Sequence, residues 1–117
     1  MAKGYWVVRG DVYDKEQYSK YVESASRIIN NFNGKFLVRG GEQTEFEIEG
    51  YERTVVIEFN SYEDALNCYN SSEYQEAMER RKTEYGSSDN WHDVAKAWPD
   101  PHRYEYTGRE IKIVDNT

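Results

Sequence analysis

The chain has 117 residues, of which 38% are hydrophobic and 32% charged, and these values fit one soluble globular domain with a modest core. Its formal net charge of -7 argues against nucleic acid or an anionic membrane surface as the main partner, because either would need a basic patch. No apolar run approaches the roughly 18–20 residues that cross a bilayer, and no signal-peptide core follows Met1, so we expect a cytoplasmic protein.

The first part of the chain predicts a strand followed by a helix. Residues 5–12 alternate between an apolar face of Trp6, Val8, Gly10 and Val12 and a mixed face of Tyr5, Val7, Arg9 and Asp11. Asp14 is the expected N-cap of a helix that runs to about Asn31 or Asn33. The apolar side chains of this helix recur at steps of three and four and form one stripe: Tyr18, Tyr21, Val22, Ala25, Ile28, Ile29 and Phe32.

Two further strands and a second helix follow. Residues 35–39 predict a short strand that stops at Gly40 and Gly41, which allow a sharp turn. Residues 53–59 form a β-branched run typical of a central strand, with Val55, Ile57 and Phe59 on its apolar face. Ser61 then opens a helix as the first residue of a capping box.

The last third predicts an insertion and a final strand. We expect residues 109–114 to supply the fourth strand of the sheet, and residues 104–106 to pair with it. Between residues 85 and 107 the chain carries an insertion whose apolar side chains lie at helical spacing: Trp91, Val94, Ala95 and Trp98. Pro99 would end this short helix. The apolar stripe of the helix predicts that it packs against the rest of the domain or against a partner chain.

This order of elements predicts an α+β fold, a split β-α-β sandwich in which helices cover one face of an antiparallel sheet. The other face would carry exposed apolar side chains, namely Tyr5, Val7, Leu37, Val56, Ile111 and Ile113. A patch of that size is unusual on a monomer, so two copies packed sheet to sheet are expected. We therefore predict a single domain over residues 1–117 that forms a homodimer.

Four sequence blocks carry a resemblance to a known family. They are Gly4 to Val8, Gly34 to Gly41, Val55 to Ala65 and Tyr69 to Tyr74, in this order. Together they resemble the uncharacterised bacterial family called domain of unknown function 1330, over about residues 3 to 82. The resemblance implies a ferredoxin-like fold that pairs into a dimeric α/β barrel. Cofactor-independent isomerases and oxygenases occur in that barrel group, but the family itself has no established reaction.

Charged side chains on the predicted mixed faces are the candidate site. Arg9, Arg39 and Glu58 are expected on neighbouring strands, on the face away from the helices, with Tyr5 beside them. In one interpretation, Glu58 neutralises Arg9 as a structural pair. In another, this pair leaves Arg39 free to bind a carboxylate or enolate, with Arg9 and Tyr5 in the same pocket and Glu58 as a general base. A face assignment shifted by one residue would remove the convergence.

No metal or other cofactor is predicted. The two histidines, His92 and His102, lie in the insertion without the close spacing of a metal pair, and neither lies on a main helix where it could bind haem. Cys68 is expected to be a small buried side chain. Three functions remain open: an enzyme acting on an anionic or enolisable small molecule, a non-catalytic ligand-binding or sensing dimer, and a structural or interaction module.

Overall fold

The structure is a computed structural model that describes residues 2–47, 50–83, 90–97, 103–106 and 111–114. In chain order its strands and helices are β1 (Gly4–Gly10), α1 (Lys15–Asn31), β2 (Lys35–Arg39), β3 (Arg53–Phe59), α2 (Tyr62–Asn70), α3 (Ser72–Thr83), β4 (Asn90–Lys96), β5 (Arg103–Tyr106) and β6 (Ile111–Val114). None of the helices in this part of the chain combines the length and the apolar character that crossing a membrane requires.

The main sheet has four antiparallel strands in the order β2-β3-β1-β4. With helices between the first and second strands and between the third and fourth, this is the predicted ferredoxin-like arrangement. The two central strands, β1 and β3, contribute buried side chains to the helix-covered face, and the alternation read from the sequence is confirmed there: Trp6, Ile57 and Phe59 are buried.

Capping side chains define where the first two helices begin, as the sequence predicted. The side chain of Asp14 accepts a hydrogen bond from the backbone N–H of Gln17 at the start of α1. Ser61 accepts one from the N–H of Asp64 at the start of α2. The predicted stripe of α1 faces the core, with Tyr18, Tyr21, Ala25 and Ile29 buried.

The helix predicted around Trp91 is wrong, because residues 90–96 form strand β4. This strand pairs along the whole length of β1, from Gly4 opposite Lys96 to Gly10 opposite Asn90. The spacing of the apolar residues fits a helix, but the free edge of β1 offers hydrogen bonds that a strand satisfies and a helix does not. Val94 packs on the buried core, whereas Trp98 lies outside the described residues.

The predicted place of the last strand is also wrong. The fourth strand of the main sheet is β4, and β6 pairs instead with β5, from Arg103 opposite Val114 to Tyr106 opposite Ile111. The expectation that residues 104–106 pair with the final strand is confirmed by the same register. The extent of the domain, residues 1–117, stays a prediction.

Candidate functional site

A cavity lies between α1 and the sheet. Its volume is about 40 Å³, room for a few water molecules or a few ligand atoms. Its described walls are mainly apolar and aromatic, with the polar groups Ser26, Arg39, Arg53 and His92 among them. No carboxylate is found among the described residues that line it.

The register of the sheet shows how the cavity floor is built. Arg39 of β2 stands opposite Val55 of β3, Val55 opposite Val8 of β1, and Val8 opposite His92 of β4. Since residues directly opposite each other share a face, these four side chains form one row under α1. The row has a cation at one edge of the sheet, an imidazole at the other edge and two valines between them.

Arg53 lies at the start of β3, two residues from Val55 on the same face, and lines the cavity. Its guanidinium carbon is 5.6 Å from the centroid of the Tyr18 ring, within cation–π range. Gly40 makes room for it: φ at Gly40 is +69°, and a Cβ there would stand 2.2 Å from Nη1 of Arg53. The Nε atom of Arg53 is buried and has no hydrogen-bond partner among the described residues.

Arg81 of α3 is buried beside the cavity, with a relative exposure of 2%. Its Nη1 lies 3.4 Å from the hydroxyl oxygens of both Tyr21 and Tyr74, and these two hydroxyls are 2.8 Å apart. Its Nε has no partner among the described residues. Neither Arg81 nor Arg53 forms an ion pair with a carboxylate in the described part of the chain.

His92 joins the cavity to this buried cluster. Its Nδ1 lies 3.5 Å from the hydroxyl of Tyr74, while its Nε2 is buried without a described partner. Burial and then the nearby charge of Arg81 lower the pKa of His92 to about 3, so the ring is neutral at physiological pH. Burial also raises the pKa of Tyr18 and of Tyr74, so both phenols stay protonated and can donate.

A second, outer cleft of about 410 Å³ adjoins the cavity. Tyr18, Val22 and Arg53 line both spaces and so stand at their boundary. The outer cleft also holds Lys15, and its acid, Glu52, accepts a hydrogen bond from the N–H of Val12. Arg53 therefore borders both the wider, more polar cleft and the apolar cavity.

The predicted face of Arg39 is wrong. The ladder between β2 and β3 shifts between Phe36 and Val38, so Leu37 is the extra residue of a β-bulge and the alternation changes phase. Arg39 consequently lies under α1, where its Nη2 donates to the hydroxyl of Ser26 at 2.7 Å and its guanidinium covers the Phe36 ring at 4.2 Å. The one-residue shift that the sequence left open is the observed one.

The expected pair of Arg9 and Glu58 is also wrong. Arg9 pairs with Glu45 of the β2–β3 loop, and Glu58 stands opposite Tyr5, which precedes Arg9 by four residues in β1. The hydroxyl of Tyr5 donates to Glu58 at 3.0 Å, and this bond is the main reason why the pKa of Tyr5 is raised. These side chains lie on the face of the sheet that the helices do not cover, the open face. The structure therefore separates Glu58, Tyr5 and Arg9 from Arg39.

The sequence did not indicate that Arg53, Arg81 and His92 belong to a buried site. Arg53 looked like a strand terminus, and Arg81 looked like one of three consecutive basic residues at the end of a helix. A usable signal existed for Arg81, since it lies seven residues after Tyr74 and so on the same helix face. Cys68 is buried as predicted, and burial raises the pKa of its thiol to about 12. His102 lies outside the described residues.

Comparison with known proteins places the fold. The family model described as domain of unknown function (DUF1330) matches residues 3–87. The chain belongs to this family. The DUF1330 match includes Arg39, Arg53 and Arg81, while His92 lies beyond its end. No curated protein gave a significant match.

Solved structures resemble this DUF1330 protein in fold. The RPA0582 protein of unknown function from Rhodopseudomonas palustris is 14% identical, with a TM-score of 0.62 and 82% of each chain covered. An ethyl tert-butyl ether d (ethd) family protein from Bacillus halodurans is 9% identical, with a TM-score of 0.53, and the match covers 83% of this chain and 99% of that one. At these identities the likeness establishes the α+β architecture alone.

Proposed function

We propose that this protein binds a small anionic molecule, such as a carboxylate, in the cavity between α1 and the sheet. The observation that carries the proposal is the state of Arg53 and Arg81. Both guanidinium groups have a buried Nε without a described partner, and neither pairs with a described carboxylate; Arg53 lines the cavity itself, and Arg81 contacts Tyr21, which lines it. Arginine stays protonated in proteins, so the positive charge at the cavity persists at any physiological pH.

Unpaired buried cations are costly, which is why proteins usually pair them with acids. A buried donor without an acceptor costs about 1–3 kcal/mol, and two residues that line this cavity, Arg53 and His92, each carry such a nitrogen. A bound carboxylate would supply the missing acceptors and negative charge, with the planar geometry that a guanidinium prefers. Apolar walls with a few convergent polar groups are typical of small-molecule sites.

The arrangement favours binding over proton abstraction by a carboxylate base. Glu58, the base expected from the sequence, lies on the open face and is not among the described residues of the cavity wall. His92 with its pKa lowered to about 3 is a poor base near neutral pH. The alternative is a cofactor-independent isomerase-type enzyme, and it is favoured by the same cations, which suit the charge of an enolate.

The test is calorimetric titration of the protein with acetate, butanoate and benzoate at low ionic strength, supported by thermal unfolding. A ligand at 100 times its Kd raises the free energy of unfolding by about 2.7 kcal/mol, which shifts Tm by several degrees in a domain of this size. We expect Arg53→Met to lose this response. The matched control, Arg27→Met, removes an exposed arginine of α1 and should keep it. Equal binding by both variants, or no binding by the wild type, would overturn the proposal.

We also propose that two copies pair through the open face of the sheet. Large apolar side chains remain exposed on this side or at its edge, with Val7 at 38%, Val38 at 41% and Leu37 at 48%. Covering them removes apolar area from water, and a stable interface of this kind buries over roughly 1,000 Å². The cavity lies on the other face, so the anion site is complete within one chain in the described residues.

A further inference from the structure

Building on the proposed function, we infer that the ligand is an oxo acid. Its carboxylate lies against Arg53 at the mouth of the cavity, and its carbonyl oxygen accepts a hydrogen bond from Nε2 of His92 inside. The inference rests on which nitrogen of His92 carries the proton, on the position of Arg53 between the outer cleft and the cavity, and on the valines that lie between the two polar groups.

The contacts around Tyr74, whose hydroxyl lies 3.5 Å from Nδ1 of His92, favour one tautomer of His92. Arginine only donates, so the hydroxyls of Tyr21 and Tyr74 both accept from Arg81. If Tyr21 then donates to Tyr74, and Tyr74 donates to Nδ1 of His92, each hydroxyl proton has an acceptor. If instead Nδ1 of His92 donates to Tyr74 and Tyr74 donates to Tyr21, the hydroxyl proton of Tyr21 has no acceptor among the described residues.

When the hydroxyls donate from Tyr21 to Tyr74 and from Tyr74 to His92, Nδ1 of His92 is an acceptor. A neutral imidazole then carries its one proton on the other nitrogen, Nε2. Nε2–H of His92 is therefore a buried donor without a described partner, on a ring that lines the cavity. Arg81 stands behind the ring, separated from it by the hydroxyl of Tyr74, and chains of hydrogen bonds polarise one another. Such a donor calls for an oxygen acceptor, and a neutral imidazole is suited to polarise a carbonyl group.

The cavity sets the order of the two ligand groups. Arg53 borders both the outer cleft and the cavity, so a carboxylate bound there keeps contact with the wider, more polar space that also holds Lys15. Arg53 lies two residues from Val55 on the same face of β3, and the row from Val55 through Val8 to His92 spans two strand spacings, about 10 Å between backbones. Valines cover the space between the two polar groups, which fits a short aliphatic link.

The experiment compares oxo acids with isosteres in which a methyl group replaces the oxo oxygen. The pairs are 2-oxobutanoate with 2-methylbutanoate and 4-oxopentanoate with 4-methylpentanoate, each titrated calorimetrically, because the small cavity limits the size of the acid. We expect at least one oxo acid to bind at least tenfold tighter than its isostere. An apolar pocket without a donor would show the opposite order, because the methyl compound is the less hydrated one.

Two variants test whether His92 causes the preference for the oxo acid. His92→Gln retains an N–H near the position of Nε2 and should keep the preference, whereas His92→Leu should abolish or reverse it while still binding the methyl acids through Arg53. If acids bind but no pair shows an oxo preference, or if His92→Leu keeps it, the inference is overturned and the anion site stands. If no acid binds to the folded wild type, the proposed function itself fails.

The tautomer can be measured without any ligand. Long-range ¹H–¹⁵N correlation spectra distinguish a protonated Nε2 from a bare one, and the spectrum of His92→Gln assigns the His92 signals against those of His102. A protonated Nε2 with Nδ1 as acceptor supports the inference. A bare Nε2 would make His92 an acceptor in the cavity and would overturn the assignment of a carbonyl ligand, whatever the acids do.

Discussion

Replacing Arg81 by methionine should make the ligand-free protein more stable. Arg81 is 2% exposed and carries a positive charge without a described carboxylate partner. Methionine has a similar length and flexibility and can pack against Tyr21 and Tyr74 without a charge. A residue held at the expense of stability is a mark of function, since proteins tolerate strain and unpaired charge chiefly at sites.

The magnitude follows from the contacts of Arg81. Its two hydrogen bonds are long, 3.4 Å each, so their loss costs roughly 0.5 kcal/mol apiece, at the low end of the usual range. The cation–π contact with Tyr21, at 5.3 Å, contributes about 0.5 kcal/mol. Against these, removing the unpartnered Nε recovers about 1–3 kcal/mol, and the desolvation penalty of the charge disappears as well. On balance, Arg81→Met should raise the free energy of unfolding by about 1 kcal/mol.

Urea denaturation of wild type and Arg81→Met measures this difference directly, since the midpoint moves while the slope stays constant if only stability has changed. Arg27→Met is the matched control, because Arg27 is an exposed arginine of α1 and its replacement should stay within about 0.5 kcal/mol. A loss of more than about 2 kcal/mol in Arg81→Met would show that Arg81 is a structural group of the core. The reasoning from unpaired charge to a ligand would then be refuted.

Three further predictions follow. Because the pKa of His92 is lowered in the folded chain, the unfolded chain binds one more proton below the ordinary histidine pKa near 6.5. Between pH 6.5 and pH 5 the free energy of unfolding of the wild type should therefore fall by about 1.6 kcal/mol more than that of His92→Gln, and an equal fall in both proteins would contradict this. Cys68, buried with its pKa raised to about 12, should react with a thiol reagent at pH 8 only as fast as the chain opens, so fast labelling of the native state would be contrary evidence. Sedimentation at micromolar concentration should give about twice the chain mass, and Val7→Asp should yield a monomer that still binds anions; a monomeric wild type would sink the dimer proposal.

Local patterns in the sequence were enough for most elements of the fold. The caps at Asp14 and Ser61 and the stripe of α1 depend on hydrogen bonds and periodicities that act within a few residues. The same holds for β1 and β3, whose alternation separates Trp6 and Ile57 from the open face. The order of these elements then restricts the topology to a split β-α-β sheet, and the family match agrees with it.

Pairing between distant segments determines two features that local sequence patterns did not predict correctly, the structure of residues 90–96 and the face on which Arg39 lies. The edge of β1 draws residues 90–96 into the sheet as a strand, although their spacing fits a helix, because backbone groups at that edge need partners. The bulge at Leu37 turns Arg39 from the open face to the cavity, and such a bulge depends on how β2 meets β3.

The site depends on tertiary structure most of all. Arg53, His92 and Arg81 come from a strand, another strand and a helix that are far apart in the chain. Neither arginine forms an ion pair with a described acid, because of where the fold places them. The amino-acid sequence by itself determines that arginines and tyrosines are available and on which elements they lie. Burial and neighbours determine their protonation and their partners, and these are properties of the folded chain.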